Sequence, residues 1–141
     1  MIYKVLLSIQ GRQAYRDQEP EIIQLTTEGQ MECRDGGWDI RYEESDLTGL
    51  KGVTTTFRVE PDKIVLTRSG ALNSEMVFQT GVAHDSLYQM AFGALMIRVC
   101  AQGMFFDITS EGGFIDLTYT IEIENSEAGV IDYHLDIRTI Q

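Results

Sequence analysis

The sequence predicts an all-β protein, a closed or nearly closed antiparallel barrel, and three observations carry that reading. Apolar and polar residues alternate with a period of two over long segments, as in strands with one face in a core and the other in water. Clusters of Gly, Asp, Asn, Ser and Pro punctuate the chain at regular spacing, and the stretches between them are rich in Val, Ile, Thr, Phe and Tyr. Strands of this length would leave adhesive edges in an open sheet, and closing the sheet on itself removes them.

The turn clusters follow in order: RDQEP at 16–20, RDGG at 34–37, SDLTGLKG at 45–52, EPDK at 60–63 and SGALNS at 69–74. TGVAHD at 80–85, FG at 92–93, QG at 102–103, SEGG at 110–113 and NSEAG at 125–129 complete the series. Glycine supplies positive φ, and Asp, Asn and Ser side chains bond their own backbone, so each cluster has a reason to turn. The segment from about 80 to 99 is the one place where a short helix competes with a strand. Nothing repeats at long period and no linker interrupts the chain, so residues 1–141 read as a single domain.

Register can be argued for two parts of the chain. EPDK suits a type I turn with Pro61 at its second position, which sets Val59 opposite Ile64, Phe57 opposite Leu66 and Thr55 opposite Arg68. Placing Trp38, Ile40, Tyr42 and Glu44 alongside keeps the apolar rows together, giving layers Trp38-Val59-Ile64, Ile40-Phe57-Leu66, Tyr42-Thr55-Arg68 and Glu44-Val53-Gly70. The inward face thus runs from apolar to polar. Near the C-terminus, Ile115 to Ile123 and Ile131 to Ile137 alternate strictly, and with NSEAG as the loop Ile123 faces Ile131, Ile121 faces Tyr133 and Leu117 faces Ile137.

Charge narrows the functional classes. Eleven basic against 22 acidic residues give a net charge of −11, which repels phosphate backbones and anionic bilayers, so neither nucleic acid nor a membrane is expected as a partner. The opening MIYKVLLSIQGR holds an apolar run too short for a signal segment. Cys33 and Cys100, with no CxxC spacing, read as reduced thiols of a cytoplasmic protein, buried as small hydrophobes.

An arginine on an inward row must find an acceptor or a wet mouth, because guanidinium stays charged and its desolvation costs several kcal/mol. Tyr42, Glu44, Thr55 and Arg68 therefore form the first candidate cluster, either orienting a small ligand at one barrel end or closing that end through an Arg68–Glu44 ion pair. Asp132, His134 and Asp136 share an outer face, and the expected register adds Glu122 opposite Asp132 and Arg138 opposite Asp116. Such a face can ligate a divalent cation, but it reads more simply as solvated charge, and no metal or other cofactor is expected. His84, Asp85 and Ser86 are consecutive in an extended segment and point to alternate faces, so they make no triad. No GxSxG, P-loop, GxGxxG or HExxH occurs, and the chain reads as a binding protein rather than an enzyme. Met76, Phe78, Tyr88, Met90, Phe92, Leu95 and Met96 form a soft apolar set that suits a core or an adaptable cavity.

The succession GLKGVTTTFRV, IVLTRSG, MVFQTG, Tyr88 with FG at 92–93, and GGFIDLTYTIE resembles the YwiB-like family of bacterial β-barrel proteins over nearly the whole chain. The resemblance implies a single calycin-like, lipocalin-like barrel of about eight to ten strands with short turns. It carries family positions onto Thr55, Arg68, Gly70, Phe78, Gly81, Tyr88, Gly93 and Tyr119. After Tyr88 the family tends to a Thr-Pro-Tyr-Gly turn, where this chain has Met90-Ala91-Phe92-Gly93. The expectation is a cytoplasmic barrel that binds a small apolar or anionic ligand, its acid on Arg68 and its tail against Phe57, Leu66 and Trp38. Tyr42, Glu44, Thr55, Tyr88 and Tyr119 complete the expected site. The alternative is a barrel packed solid by Trp38, Phe57, Tyr119 and Tyr133 whose surface serves assembly, a homodimer included.

Overall fold

The alternating segments become ten strands among the described residues, which in the computed structural model are 1–15 and 18–140, apart from the side chains of Thr48, Glu127 and Ala128. They are β1 (Ile2–Tyr15), β2 (Glu21–Arg34), β3 (Gly37–Glu43), β4 (Val53–Glu60), β5 (Lys63–Gly70), β6 (Ser74–Phe78), β7 (Ala83–Met90), β8 (Gly93–Thr109), β9 (Gly112–Ile123) and β10 (Ser126–Thr139). A short 3₁₀ turn, Asp46–Thr48, lies between β3 and β4. Of the expected RDQEP turn, Arg16 and Asp17 lie outside the described residues; the amide of Gln18 donates to Tyr15 O at 3.2 Å.

The strands form one antiparallel sheet in the order β6-β5-β4-β3-β2-β1-β10-β9-β8-β7. Successive strands are spatial neighbours, and the β1–β10 pairing carries the meander round towards closure. The remaining seam, between β6 and β7, is bridged by Asn73 and Gln89, which exchange main-chain hydrogen bonds of 2.9 and 2.8 Å. The result is a nearly closed barrel. The ambiguous segment is a β7–β8 hairpin turning at Ala91 and Phe92, with Met90 opposite Gly93, because its alternation serves a sheet with one face turned inward.

Every pair expected across β3, β4 and β5 forms: Trp38 with Val59, Ile40 with Phe57, Tyr42 with Thr55, and Thr55 with Arg68. The C-terminal hairpin keeps the expected parity but not the expected register. Its turn is Glu124-Asn125, both at positive φ (51° and 67°), rather than the longer NSEAG loop. This tight turn and a bulge after Glu127 bring Tyr119 opposite Ile131 and Leu117 opposite Tyr133. Asp132 consequently faces Thr118, not Glu122, and Arg138 faces Gly112, not Asp116.

The core fills one end of the barrel. Leu7, Met31, Ile40, Ile64, Phe78, Ile115 and Leu135 are buried there from nearly every strand. Cys33 departs from expectation: it is exposed, since it pairs with Trp38 one step from the Asp35-Gly36 turn, beyond the end of the core. Cys100 is half-buried. No helix among the described residues is long and apolar enough to cross a membrane.

Candidate functional site

Towards the other end, the inward rows turn polar together. On β1 the row Val5, Leu7, Ile9 is buried and continues as Gly11, Gln13 and Tyr15, none of them fully buried. Between this row and the β3–β5 layers lies a cavity of about 340 Å³. Phe57, Leu66, Leu117 and Ile131 give it apolar walls, and Arg68, Glu44, Tyr42, Tyr88, Tyr119 and Tyr133 bring polar groups to the same space. Eight strands make a barrel just wide enough for side chains to fill, so ten leave an interior that can stay open. Gly11 keeps it open: a Cβ there would meet only Ile23 Cβ, 4.0 Å away.

Five of the six expected site residues, Arg68, Tyr42, Glu44, Tyr88 and Tyr119, line this cavity. The sixth, Thr55, is wholly buried behind it and donates its hydroxyl to Glu44 Oε2 at 2.9 Å. Arg68 Nε stands 4.0 Å from the same oxygen and is buried without a hydrogen-bond acceptor. Glu44 is held almost entirely out of solvent, while Arg68 keeps 18% of its side chain accessible. With Nε buried, that accessible part belongs to the rest of the side chain.

The phenols form a neutral ring around this charged pair. Tyr42 and Tyr133 bring their oxygens to 3.5 Å. Burial raises the Tyr133 pKa well above its usual value, and Tyr42 adds to the effect. Burial also raises Tyr42, with Glu44 adding to it, and pushes Tyr119 up to about 12 although Arg68 pulls the other way. Below those values the phenols can donate or accept hydrogen bonds without adding charge. Phe78 packs on Tyr119 with ring centroids 4.6 Å apart, and Phe57 on Tyr133 at 5.6 Å, fixing the cavity floor.

Trp38, expected behind the ligand's tail, does not line the cavity; it packs near Tyr3 with ring centroids 6.5 Å apart and edges a shallow depression with Pro61 and Phe106. Phe92 and Met96, from the soft apolar set, are exposed, whereas Met76 and Phe78 enter the core. Gly11, Gln13 and Tyr15 were not singled out in the sequence, although the change from Val5-Leu7-Ile9 to Gly11-Gln13-Tyr15 shows the same apolar-to-polar gradient as β3–β5; Tyr133, expected only as part of a packed barrel, lines the cavity.

The outer-face candidates do not assemble into a centre. Asp85 is paired with Arg98 at 2.7 Å, and His84 bonds Gln79 at 2.8 Å. The imidazole of His134 is held between Asp116 on Nδ1 and Asp136 on Nε2. Among the described residues, no group of three or more His, Cys, Asp or Glu is placed to hold a metal ion.

Comparison with known proteins agrees with the barrel. A family model described as a domain of unknown function, DUF1934, matches residues 7–137. The uncharacterized β-barrel protein YwiB of Bacillus subtilis strain 168 is 27% identical over 112 residues, covering 79% of this chain and 77% of its own. The crystal structure of the ywiB protein from Bacillus subtilis superposes with a TM-score of 0.89 at 21% identity, covering 99% of this chain and 94% of the other.

Proposed function

The chain belongs to the DUF1934 family, and from that premise we propose that its barrel is a non-enzymatic receptor for one small molecule held in the internal cavity. The supporting observation is the cavity itself. Its volume of about 340 Å³ lies at the lower end of the range for small-molecule sites, and its make-up is theirs: apolar walls with a few convergent polar groups. The ligand's acidic group meets Arg68, and its apolar body rests on Phe57 and Leu66. Tyr42, Tyr88 and Tyr119 surround it, and Thr55 holds Glu44 in place behind it.

Native mass spectrometry on protein purified from cells tests this directly. A reproducible extra mass on the wild type, lost in Gly11→Leu and weakened in Arg68→Met, is the expected result. A clean apoprotein mass, together with no response to added small acids, overturns it. The assembly reading draws on a different observation, the exposure of Phe92, Leu87 and Met96 on the β7–β8 hairpin. Light scattering checks it: a dimer abolished by Phe92→Ser would place the activity on that surface.

A further inference from the structure

We infer that the guest of this cavity is a compact monocarboxylate and that Tyr119 is its hydrogen-bond donor, the hydroxyl holding the carboxylate while the apolar body lies on Phe57 and Leu66. The inference rests on the receptor reading above and specifies the head group and its seat. The seat is the one deeply buried phenol left without a partner. Glu44 is engaged by Thr55, Tyr15 donates to Gln13 Oε1 at 3.1 Å, and Tyr42 and Tyr133 face each other. The hydroxyls of Tyr119 and Tyr88, which line the same cavity, bond no described residue. Tyr88 is half-buried, but Tyr119 is only 7% exposed and its ring is fixed on Phe78. Its oxygen is not sealed off as Arg68 Nε is, so the unpartnered hydroxyl opens onto the cavity. A phenol buried to this depth calls for a hydrogen-bond partner.

Charge selects the head group. The Tyr119 hydroxyl lies within the field of Arg68, and burial keeps it protonated at neutral pH, so it is a neutral donor in a positive potential. A negatively charged acceptor suits such a donor best, because charge-assisted hydrogen bonds are shorter and stronger than neutral ones. A carboxylate adds a single charge, and Glu44, held by its own bond from Thr55, leaves the field of Arg68 to meet it. A phosphate dianion would set more negative charge beside Glu44 than one guanidinium offsets. An ammonium would compete with Thr55 for a carboxylate almost wholly buried and would be repelled by Arg68. Size points the same way: about 340 Å³ corresponds to about eleven waters at ~30 Å³ each, enough for an arylalkanoate and too little for a long-chain amphiphile.

The test is isothermal titration calorimetry of the wild-type protein at neutral pH and two temperatures with hydrocinnamate, hydrocinnamyl alcohol and L-phenylalanine, which share a phenyl body and differ at the polar end. Hydrocinnamate is expected to bind about tenfold or more tighter than either of the others. In Tyr119→Phe, which keeps the ring on Phe78, hydrocinnamate should lose about tenfold and the alcohol a smaller factor. The alcohol or L-phenylalanine binding the wild type as tightly as hydrocinnamate overturns the carboxylate, and hydrocinnamate affinity unchanged in Tyr119→Phe overturns the seat. No heat from any probe at either temperature overturns both. The native mass spectrum then separates this inference from the receptor: a co-purified guest lost in Gly11→Leu preserves the receptor, and a clean mass removes it too. Where Tyr119→Phe fails to fold, the three-probe comparison still decides the head group. A flat tyrosine difference spectrum on adding hydrocinnamate to the wild type then rejects the seat.

Discussion

Tyr42 on β3 and Tyr133 on β10 meet inside the barrel with their phenol oxygens 3.5 Å apart, although 91 residues separate them in the chain. The contact is too long to contribute much as a hydrogen bond. Its importance is positional, since it places two neutral phenols beside the Arg68–Glu44 pair.

Burial of those phenols predicts a delayed alkaline titration. The pKa values of Tyr15, Tyr42, Tyr119 and Tyr133 are all raised, chiefly by burial, with Tyr119 at about 12. The unfolded chain ionises near 10, so the folded state binds more protons above that point. The stability these phenols contribute is therefore complete below about pH 10 and lost as pH rises through the folded values. Ultraviolet difference titration should show the ionisation of Tyr42, Tyr119 and Tyr133 lagging behind free tyrosine, with their release coinciding with unfolding. Six normal titrations in folded protein would contradict the buried ring.

Filling the cavity should cost no stability. Gly11 has ordinary strand geometry with 4.0 Å of clearance at its missing Cβ. A strand glycine also carries a conformational cost of about 0.5 to 1 kcal/mol relative to alanine. Gly11→Leu is expected to leave unfolding free energy unchanged or up to about 1 kcal/mol higher, measured by urea denaturation. A loss of more than about 2 kcal/mol would mean that the site has no room.

Arg68 and Glu44 should be coupled. Removing either leaves the other short of its counter-charge in a largely dry site, which is expected to cost about 1 to 3 kcal/mol, less than for a fully buried pair because Arg68 keeps a face on the cavity. The double variant Arg68→Met/Glu44→Leu should lose less than the singles combined, by about 1 kcal/mol or more in a double-mutant cycle. Strict additivity would show that the two charges do not sense each other.

The polar end of β3–β5 was legible in the sequence because EPDK is a short turn of defined type, which leaves little freedom of register. That is why Thr55 and Arg68 could be placed side by side in advance, and matching apolar rows set Tyr42 beside them. The C-terminal hairpin had no such anchor: its turn uses Glu124 and Asn125 at positive φ, displacing Ile131 from Ile123 to Tyr119, four residues along β9. An even displacement preserves parity, so the inward row remained correct while the outer-face pairing of Glu122 with Asp132 did not. The cavity could not be read from periodicity. It depends on how many strands close the barrel and on Gly11 being a residue without a side chain, both consequences of assembly rather than local pattern.

His134 makes the last prediction, on the outer surface and independent of the cavity. Asp116 bonds Nδ1, and Asp136 lies 3.0 Å from Nε2, so only the imidazolium can donate to both carboxylates at once. The hydrogen bond to Asp116 raises the His134 pKa most, Asp136 adds to it, and partial desolvation opposes them. Because the folded value lies above the unfolded one near 6.5, this stabilisation is complete below about 6.5 and lost as pH rises through the folded pKa. Arg12, Asp132 and Gln10 share the surrounding groove; Asp132 is already engaged by the Thr118 hydroxyl at 2.8 Å and contacts neither ring nitrogen. The wild type should therefore lose more Tm than His134→Gln between about pH 6 and about pH 8. Equal slopes in the two proteins would show that the imidazole is a bystander on a solvated face.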